Sequence, residues 1–182
     1  KFGKDRKGNS DFLRETSRAA GVEYQSLSMV LQDGAKVSTS RIKEAFMDGH
    51  LKQGLEWLGH EYYLIGDVVH GDRRGTDMGY PTANLRIDFK PSLKMGVYAV
   101  SSEFSGEKIY GVMNVGTTPT FTNSLKLKHE VHFFDFSVDL YGQNIKVILH
   151  DFIRPEQKFA TLEALLEQIH ADVVRARKIH NI

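Results

Sequence analysis

The chain has 182 residues, with 24 basic and 23 acidic side chains and a formal net charge of +1, so no overall field attracts nucleic acid or an anionic membrane surface. It has no cysteine, which excludes disulfides, thiolate metal ligands and cysteine nucleophiles. No stretch approaches the roughly 20 apolar residues that cross a bilayer, so we expect a soluble, cytoplasmic protein, with a monomer favoured.

The first segment is expected to be helical, with one strand. Ser10 can cap a helix that stops at Gly21. Residues 22–30 alternate loosely between apolar and polar side chains, which predicts a strand, and Asp33-Gly34 is a turn signal.

Two further helical patterns follow. Ser38 or Ser40 can cap a helix that closes at Gly49, and spaced leucines continue a short helical pattern up to Gly59. We therefore expect residues 1–59 to be structurally distinct from the rest of the chain.

From Tyr62 onward the apolar spacing changes to that of strands. Five short segments rich in Val, Ile, Tyr and Phe are separated by turn signals: Tyr62–His70, Gly96–Phe104, Lys108–Val115, Glu130–Phe136 and Asn144–Phe152. Because closure removes exposed strand edges, these segments predict a mainly β fold, a small antiparallel barrel.

The chain is expected to end in an amphipathic helix capped by Thr161. Its predicted apolar stripe consists of Leu162, Leu165, Leu166, Ile169 and Val173. We expect the stripe to pack on the barrel, and a helix that binds a partner protein is the alternative.

The segment Gly79–Asn84 has the layout of a phosphate and metal site. Pro81 favours extended backbone before Thr82, so the side chains of Thr82 and Asn84 point to the same side. A hydroxyl and a carboxamide are oxygen ligands that suit Mg²⁺, with waters and phosphates completing its coordination. The glycine-rich run before them allows backbone N–H groups to face phosphates. A glycine-rich hairpin that leads into an edge strand and binds nothing is the alternative.

Glu130 is the candidate for a group that accepts a proton from an attacking hydroxyl. On a strand it shares one face with His132, whereas His129 lies on the other, and an ordinary charge on a solvent-facing strand is the alternative. The two histidines are three residues apart in a β-like run, so their imidazoles point to opposite faces and we reject a zinc site.

Several spaced motifs resemble riboflavin kinases, in particular the kinase module of bacterial bifunctional riboflavin kinase/FAD synthetases. The resemblance covers roughly residues 60–180. The matching segments, in chain order, are Gly66–Gly75, Met78–Leu85, Gly96–Val100, Gly111–Phe121, His129–Phe136, Asp139–Gly142 and Arg154–Phe159.

The resemblance implies a six-stranded Greek-key barrel with a C-terminal helix, preceded by a short α/β remnant of a nucleotidyltransferase domain. It implies Mg²⁺-dependent transfer of the ATP γ-phosphate to riboflavin, giving FMN and ADP. It assigns catalysis to Glu130 and the metal to Thr82 and Asn84. The implied ATP-binding residues are Gly66, His70, Gly71, Arg73, Arg74, Gly75, Gly79, Pro81 and Asn114, and the implied flavin-binding residues are His132, Arg154 and Phe159.

Some of these assignments have alternatives. Thr76-Asp77 departs from the family, where a basic or small residue often follows the last loop glycine, and an acid beside phosphates is unfavourable unless it faces outward. The arginines of the same loop could be merely exposed. Arg154 could instead form a surface ion pair with Glu156, and Phe159 could be a core residue.

The first 59 residues resemble the closing part of the FMN adenylyltransferase domain of the bifunctional proteins. The resemblance therefore implies two domains, an adenylyltransferase remnant at 1–59 and a riboflavin kinase barrel at 60–182. We expect the chain to be part of a longer protein that also makes FAD, an activity not expected of these 182 residues alone. The alternative for the whole chain is a non-catalytic flavin- or nucleotide-binding β-barrel module.

Overall fold

The structure is a computed structural model that describes residues 2–71, 75, 78–119 and 125–182. It divides the chain into two compact units, Lys1–Val37 and Ser38–Ile182.

The first unit contains a short 3₁₀ helix (Lys4–Arg6), helix α1 (Ser10–Ala19) and a minimal hairpin of strands β1 (Leu31–Gln32) and β2 (Ala35–Lys36). Asn9 rather than Ser10 caps α1, because the Asn9 side chain accepts the N–H of Phe12 at 2.8 Å. None of the described residues of this unit is buried.

The strand predicted over residues 22–30 is wrong. Residues 22–30 form no strand, and the pairings among the described residues of this unit join β1 to β2 and Phe2 to Gly8. A strand needs a neighbour for its backbone hydrogen bonds, and loose alternation in the sequence does not supply one. The turn at Asp33-Gly34 is confirmed.

The second unit opens with helices α2 (Thr39–Asp48) and α3 (Leu51–Leu58). The Ser38 hydroxyl accepts the N–H of Arg41 at 3.4 Å, so Ser38 is the cap that the sequence suggested. Both helices end at glycines with positive φ, as expected for a left-handed C-cap.

These helices pack with the barrel. Phe46 and Leu51 are buried and belong to the same hydrophobic cluster as the barrel interior. The compact unit therefore begins about twenty residues before the boundary expected at residue 60, whereas the ancestry of residues 1–59 stays a prediction.

Six antiparallel strands form a closed barrel in the order β3-β4-β7-β6-β5-β8. Their bounds are Tyr62–Val69 (β3), Ala83–Arg86 (β4), Gly96–Phe104 (β5), Glu107–Pro119 (β6), Leu125–Phe133 (β7) and Asn144–Pro155 (β8). Three consecutive strands pair as hairpins, and β8 returns beside the first of them, which is the Greek-key order. The predicted barrel and its strand count are confirmed.

Apolar side chains cover both faces of part of this barrel. Tyr98, Met113 and Val131 are fully buried inside it, whereas Val97 and Val112 belong to a second cluster on its outer face. Neighbouring residues in a strand point to opposite faces, so both clusters come from the same strands.

Helix α4 (Leu162–His180) covers the outer cluster. The Thr161 hydroxyl accepts the N–H of Ala164 at 3.2 Å, so the predicted cap is confirmed. Packing on the barrel is also confirmed, although the stripe differs in detail: Leu162 is 54% exposed, whereas Ala176 is fully buried against the barrel.

Candidate active site

A cavity of about 340 Å³ lies on the outer face of the barrel, next to helix α4. Strands β5, β6 and β7 supply one wall, and the helix and the segment after β8 supply the other. Seven residues predicted from the sequence line it: Gly75, Thr82, Asn114, Glu130, His132, Arg154 and Phe159. Residues from five separate motifs thus meet in one place.

Glu130 lies at the centre of a polar row that crosses three strands. It is paired with Asn84 on β4 and with Asn114 on β6. Directly opposite residues of an antiparallel pair point to the same face, with Cβ atoms about 4.5–5.5 Å apart. The carboxylate therefore has a carboxamide on each side, and its side chain is 26% exposed toward the cavity.

The two predicted metal ligands line different cavities. Thr82 lines the main cavity together with Glu130, whereas Asn84, which is paired with Glu130 and is 8% exposed, lines a neighbouring cavity of about 650 Å³. Their neutral oxygens fit a hard divalent cation that keeps water and phosphate ligands. No group of three His, Cys, Asp or Glu side chains suited to a metal occurs among the described residues, so a cation here would depend on substrate oxygens.

The glycines of the loop before Thr82 lie against this pair. A Cβ atom added to Gly71 would meet the Asn84 carboxamide, with Oδ1 at 2.7 Å, and one added to Gly75 would lie 3.2 Å from the Thr82 hydroxyl. The nearest atoms are the amide nitrogen of Asn84 for Gly71 and the carbonyl oxygen of Tyr80 for Gly75, so a side chain at either glycine would displace its neighbours.

The remaining predicted ATP-binding residues are placed differently. Gly66 lies inside β3, where an added Cβ would lie 2.8 Å from the carbonyl oxygen of Arg86, so strand packing alone accounts for it. Gly79 has φ 80° in the turn before Tyr80. The His70 ring packs on Tyr141 with centroids 4.1 Å apart. Arg73 and Arg74 lie outside the described residues.

His132 connects strand β7 to the segment that carries Thr82. Its Nδ1 donates a hydrogen bond to the carbonyl oxygen of Pro81 at 2.9 Å, and its ring packs edge-on against Tyr80 at 5.3 Å. Pro81 therefore contributes an acceptor to the site, and its own side chain lines a third cavity of about 280 Å³. His132 lines the main cavity, as expected of a flavin-binding residue, while one of its nitrogens is already committed.

His129 and His132 do lie on opposite faces of β7. His129 is 3% exposed inside the barrel, and its Nε2 has no hydrogen-bond partner among the described residues. Burial lowers the pKa of His129, which keeps the imidazole neutral.

Arg154 forms an ion pair, but its partner is Asp172 on α4 and not Glu156. The guanidinium donates to both carboxylate oxygens at 2.8–3.0 Å, and Asp172 is 4% exposed. Gln168 donates to the same carboxylate at 3.0 Å. Phe159 lies 5.7 Å from the guanidinium and is half-buried at the cavity, so it is not a core residue.

Sequence reasoning missed Asp172 and Lys128, which both line the cavity. Asp172 continues the spacing of the apolar stripe on α4, so an acidic residue at a buried stripe position was a readable signal for a buried partner. Lys128 lies two residues before Glu130, and the period of two places it on the same face.

Comparisons with known proteins identify the family of this chain. Residues 58–180 match the Flavokinase family, described as riboflavin kinase, and the chain belongs to that family. It is 36% identical over 178 residues to a bifunctional riboflavin kinase/FMN adenylyltransferase of Pseudomonas fluorescens, covering 98% of this chain and 57% of the relative. The protein of the same description from Escherichia coli K12 is 37% identical over 183 residues, covering 100% of this chain and 58% of the relative.

A solved structure from Streptococcus pneumoniae, described as a macrolide-efflux protein, superposes with a TM-score of 0.82 at 34% identity. The match covers 94% of this chain and 55% of that one. The chain thus spans a little under three-fifths of the length of these curated relatives.

Within the part of the chain that the structure describes, no helix is both long and apolar enough to cross a membrane.

Proposed function

We propose that this chain is a riboflavin kinase that transfers the γ-phosphate of ATP to the terminal ribityl hydroxyl of riboflavin. The observation that carries the proposal is the row Asn84, Glu130 and Asn114, in which Glu130 and Asn114 share one cavity with Thr82 and Asn84 lines the neighbouring cavity. The family membership supports it, because residues 58–180 contain every element of this site.

In this proposal the cavity against α4 holds the flavin. Its walls include the apolar side chains of Val97, Val112, Leu165 and Ile169, and the ring of Phe159 is available for stacking on the flavin. The Arg154–Asp172 pair fixes the helix wall, so the guanidinium contacts the isoalloxazine edge from a locked position. The ribityl chain then runs along the strands toward Glu130.

The ATP phosphates lie beside Thr82 and Asn84, under the backbone of Gly71 and Gly75. These two side chains would hold Mg²⁺, which neutralises phosphate charge when bound. Glu130 accepts the proton of the ribityl hydroxyl while the hydroxyl oxygen forms a bond to the γ-phosphorus. The bond between that phosphorus and the β,γ-bridging oxygen breaks, and ADP leaves.

The direct test is to incubate the 182-residue chain with riboflavin, ATP and Mg²⁺ and to separate the flavins by chromatography. We expect FMN to form, and we expect a chelator to stop the reaction and added Mg²⁺ to restore it. Flavin binding without FMN formation would favour the non-catalytic barrel instead.

Glu130→Gln tests the assigned base. Because proton acceptance contributes about 10²–10⁴-fold to such reactions, kcat should fall within that range while the Kd for MgATP stays unchanged. Glu61→Gln is the matched control, since Glu61 also pairs with a lysine, Lys146 at 3.5 Å, on the barrel surface. An unchanged kcat in Glu130→Gln removes Glu130 from the mechanism.

A further inference from the structure

An ion pair on β7 joins the proposed base to a lysine that the family assignment does not use. The ammonium of Lys128 lies 2.9 Å from Oε1 of Glu130. The two side chains are 27% and 26% exposed, so the pair is neither free in solvent nor deeply buried. Being two residues apart on one strand, both side chains point to the outer face of the barrel.

Lys128 also lies where two cavities meet. It lines the main cavity together with Glu130, and it lines the neighbouring one together with Asn84 and Gly71. The residue opposite Lys128 on β6 is Gly116, and the Glu156 carboxylate, not a side chain of residue 116, occupies the space beside it, with Oε1 2.5 Å from where a Cβ atom would lie. Among the described residues, Lys128 is the one lysine or arginine that lines both cavities.

We propose that Lys128 is a positioning residue that holds the Glu130 carboxylate in place while the anionic phosphates bind. This inference rests on the riboflavin kinase activity proposed above. A lone carboxylate beside a triphosphate is repelled by it and can rotate away from the attacking hydroxyl. The ammonium of Lys128 offsets that repulsion and fixes one carboxylate oxygen, which leaves the other oxygen directed at the hydroxyl proton.

A purely structural role makes a different prediction. The two side chains are about a quarter exposed, and ion pairs that solvent reaches contribute little to protein stability, so removal of the lysine should change the unfolding midpoint only slightly. Misplacement of a catalytic group by about 1 Å can cost on the order of 10²-fold in rate. Turnover, measured apart from stability, therefore distinguishes a positioning role from a structural one.

The experiment compares Lys128→Met, Lys128→Arg and the control Lys146→Met in steady-state FMN formation, with thermal unfolding of each. We expect kcat to fall by about 10–10²-fold in Lys128→Met with little change in the KM for riboflavin. Lys128→Arg should recover most of the rate, because it restores a cation, and Lys146→Met should match the unchanged chain. If Lys128→Met fails to fold, Lys128→Gln replaces it.

A double variant tests whether the lysine acts through Glu130. In a Glu130→Gln background, Lys128→Met should cause no further loss of kcat, because the group it positions is gone. Full additivity of the two losses overturns the inference, and so does an unchanged kcat in Lys128→Met. If the unchanged chain forms no FMN, the proposed kinase activity itself fails, and the role of Lys128 fails with it.

Discussion

The buried ion pair between Arg154 and Asp172 should be the strongest single link between α4 and the barrel. The side chains are 16% and 5% exposed, and three hydrogen bonds of 2.8–3.0 Å join them. Replacing Asp172 with Leu leaves the guanidinium without its carboxylate in a largely dry site. Breaking a buried pair in this way costs about 3–5 kcal/mol, and the partly exposed arginine favours the lower end.

This cost predicts a measurable shift in thermal stability. At about 3 kcal/mol and roughly 2–4 °C per kcal/mol for a domain of this size, Tm should fall by about 6–12 °C in Asp172→Leu. The control is Asp135→Asn, which breaks an exposed ion pair with Arg177, another residue of α4. The two side chains are 2.7 Å apart, and the Asp135 carboxylate is 79% exposed. That change should lower Tm by no more than about 3 °C.

The double variant Arg154→Met/Asp172→Leu separates the contribution of the ion pair to stability from the contribution of Arg154 to riboflavin binding. Replacing both charges by apolar groups of similar size is often near neutral for stability, so Tm should return toward that of the unchanged chain. Its affinity for riboflavin, measured by quenching of flavin fluorescence, should still be reduced, because the guanidinium at the cavity is gone. A Tm loss in Asp172→Leu no larger than that of the Asp135 control would refute the reasoning.

Two further predictions concern pH and the glycine loop. Burial, followed by the charges of His150 and Lys108, lowers the pKa of His180 in the folded chain from 6.5 to about 4. The neutral imidazole therefore stabilises the folded chain fully above about pH 6.5, and this contribution is lost as the pH falls toward 4. The urea midpoint should therefore fall less between pH 7 and pH 4.5 in His180→Phe than in the unchanged chain, and equal falls would contradict this. Gly71→Ala places a methyl group against the Asn84 carboxamide, so in the FMN assay kcat should fall and the KM for ATP should rise. Unchanged constants would show that residue 71 does not contact Asn84 closely enough to displace it.

Local signals in the sequence predict five of the six barrel strands, whereas β4 was expected only as the extended segment that carries Thr82 and Asn84. β7 runs from Leu125 to Phe133, so it begins and ends earlier than the predicted Glu130–Phe136. β5 has the predicted bounds Gly96–Phe104, since a glycine starts it and the Ser105-Gly106 turn ends it. β6 and β8 extend a few residues beyond the prediction, because pairing with long neighbours continues past the last apolar residue. Strand ends depend on the partner strand, and a single strand's sequence does not contain that information.

The site was predictable where its residues are close in sequence, and not where tertiary packing brings them together. Thr82 and Asn84 follow from one extended segment, and Glu130 from the alternation of another. Asp172 reaches Arg154 only because α4 lies across the barrel, and no spacing along the chain encodes that contact. The family resemblance predicted Arg154 at the cavity but not the partner that holds it there.

Side chains that point alternately into and out of the barrel along β6 and β7 form both the core and the candidate site. Val131 and Met113 point into the barrel and are fully buried, and the adjacent residues Glu130 and Asn114 point outward. A register slip of one residue in β7 would turn every side chain of the strand to the other face, burying the carboxylate and exposing the core. The apolar residues that stabilise the barrel therefore also fix the backbone of Glu130 opposite that of Asn114. What they leave free is the rotation of the Glu130 side chain, and restricting that rotation is the role proposed for Lys128.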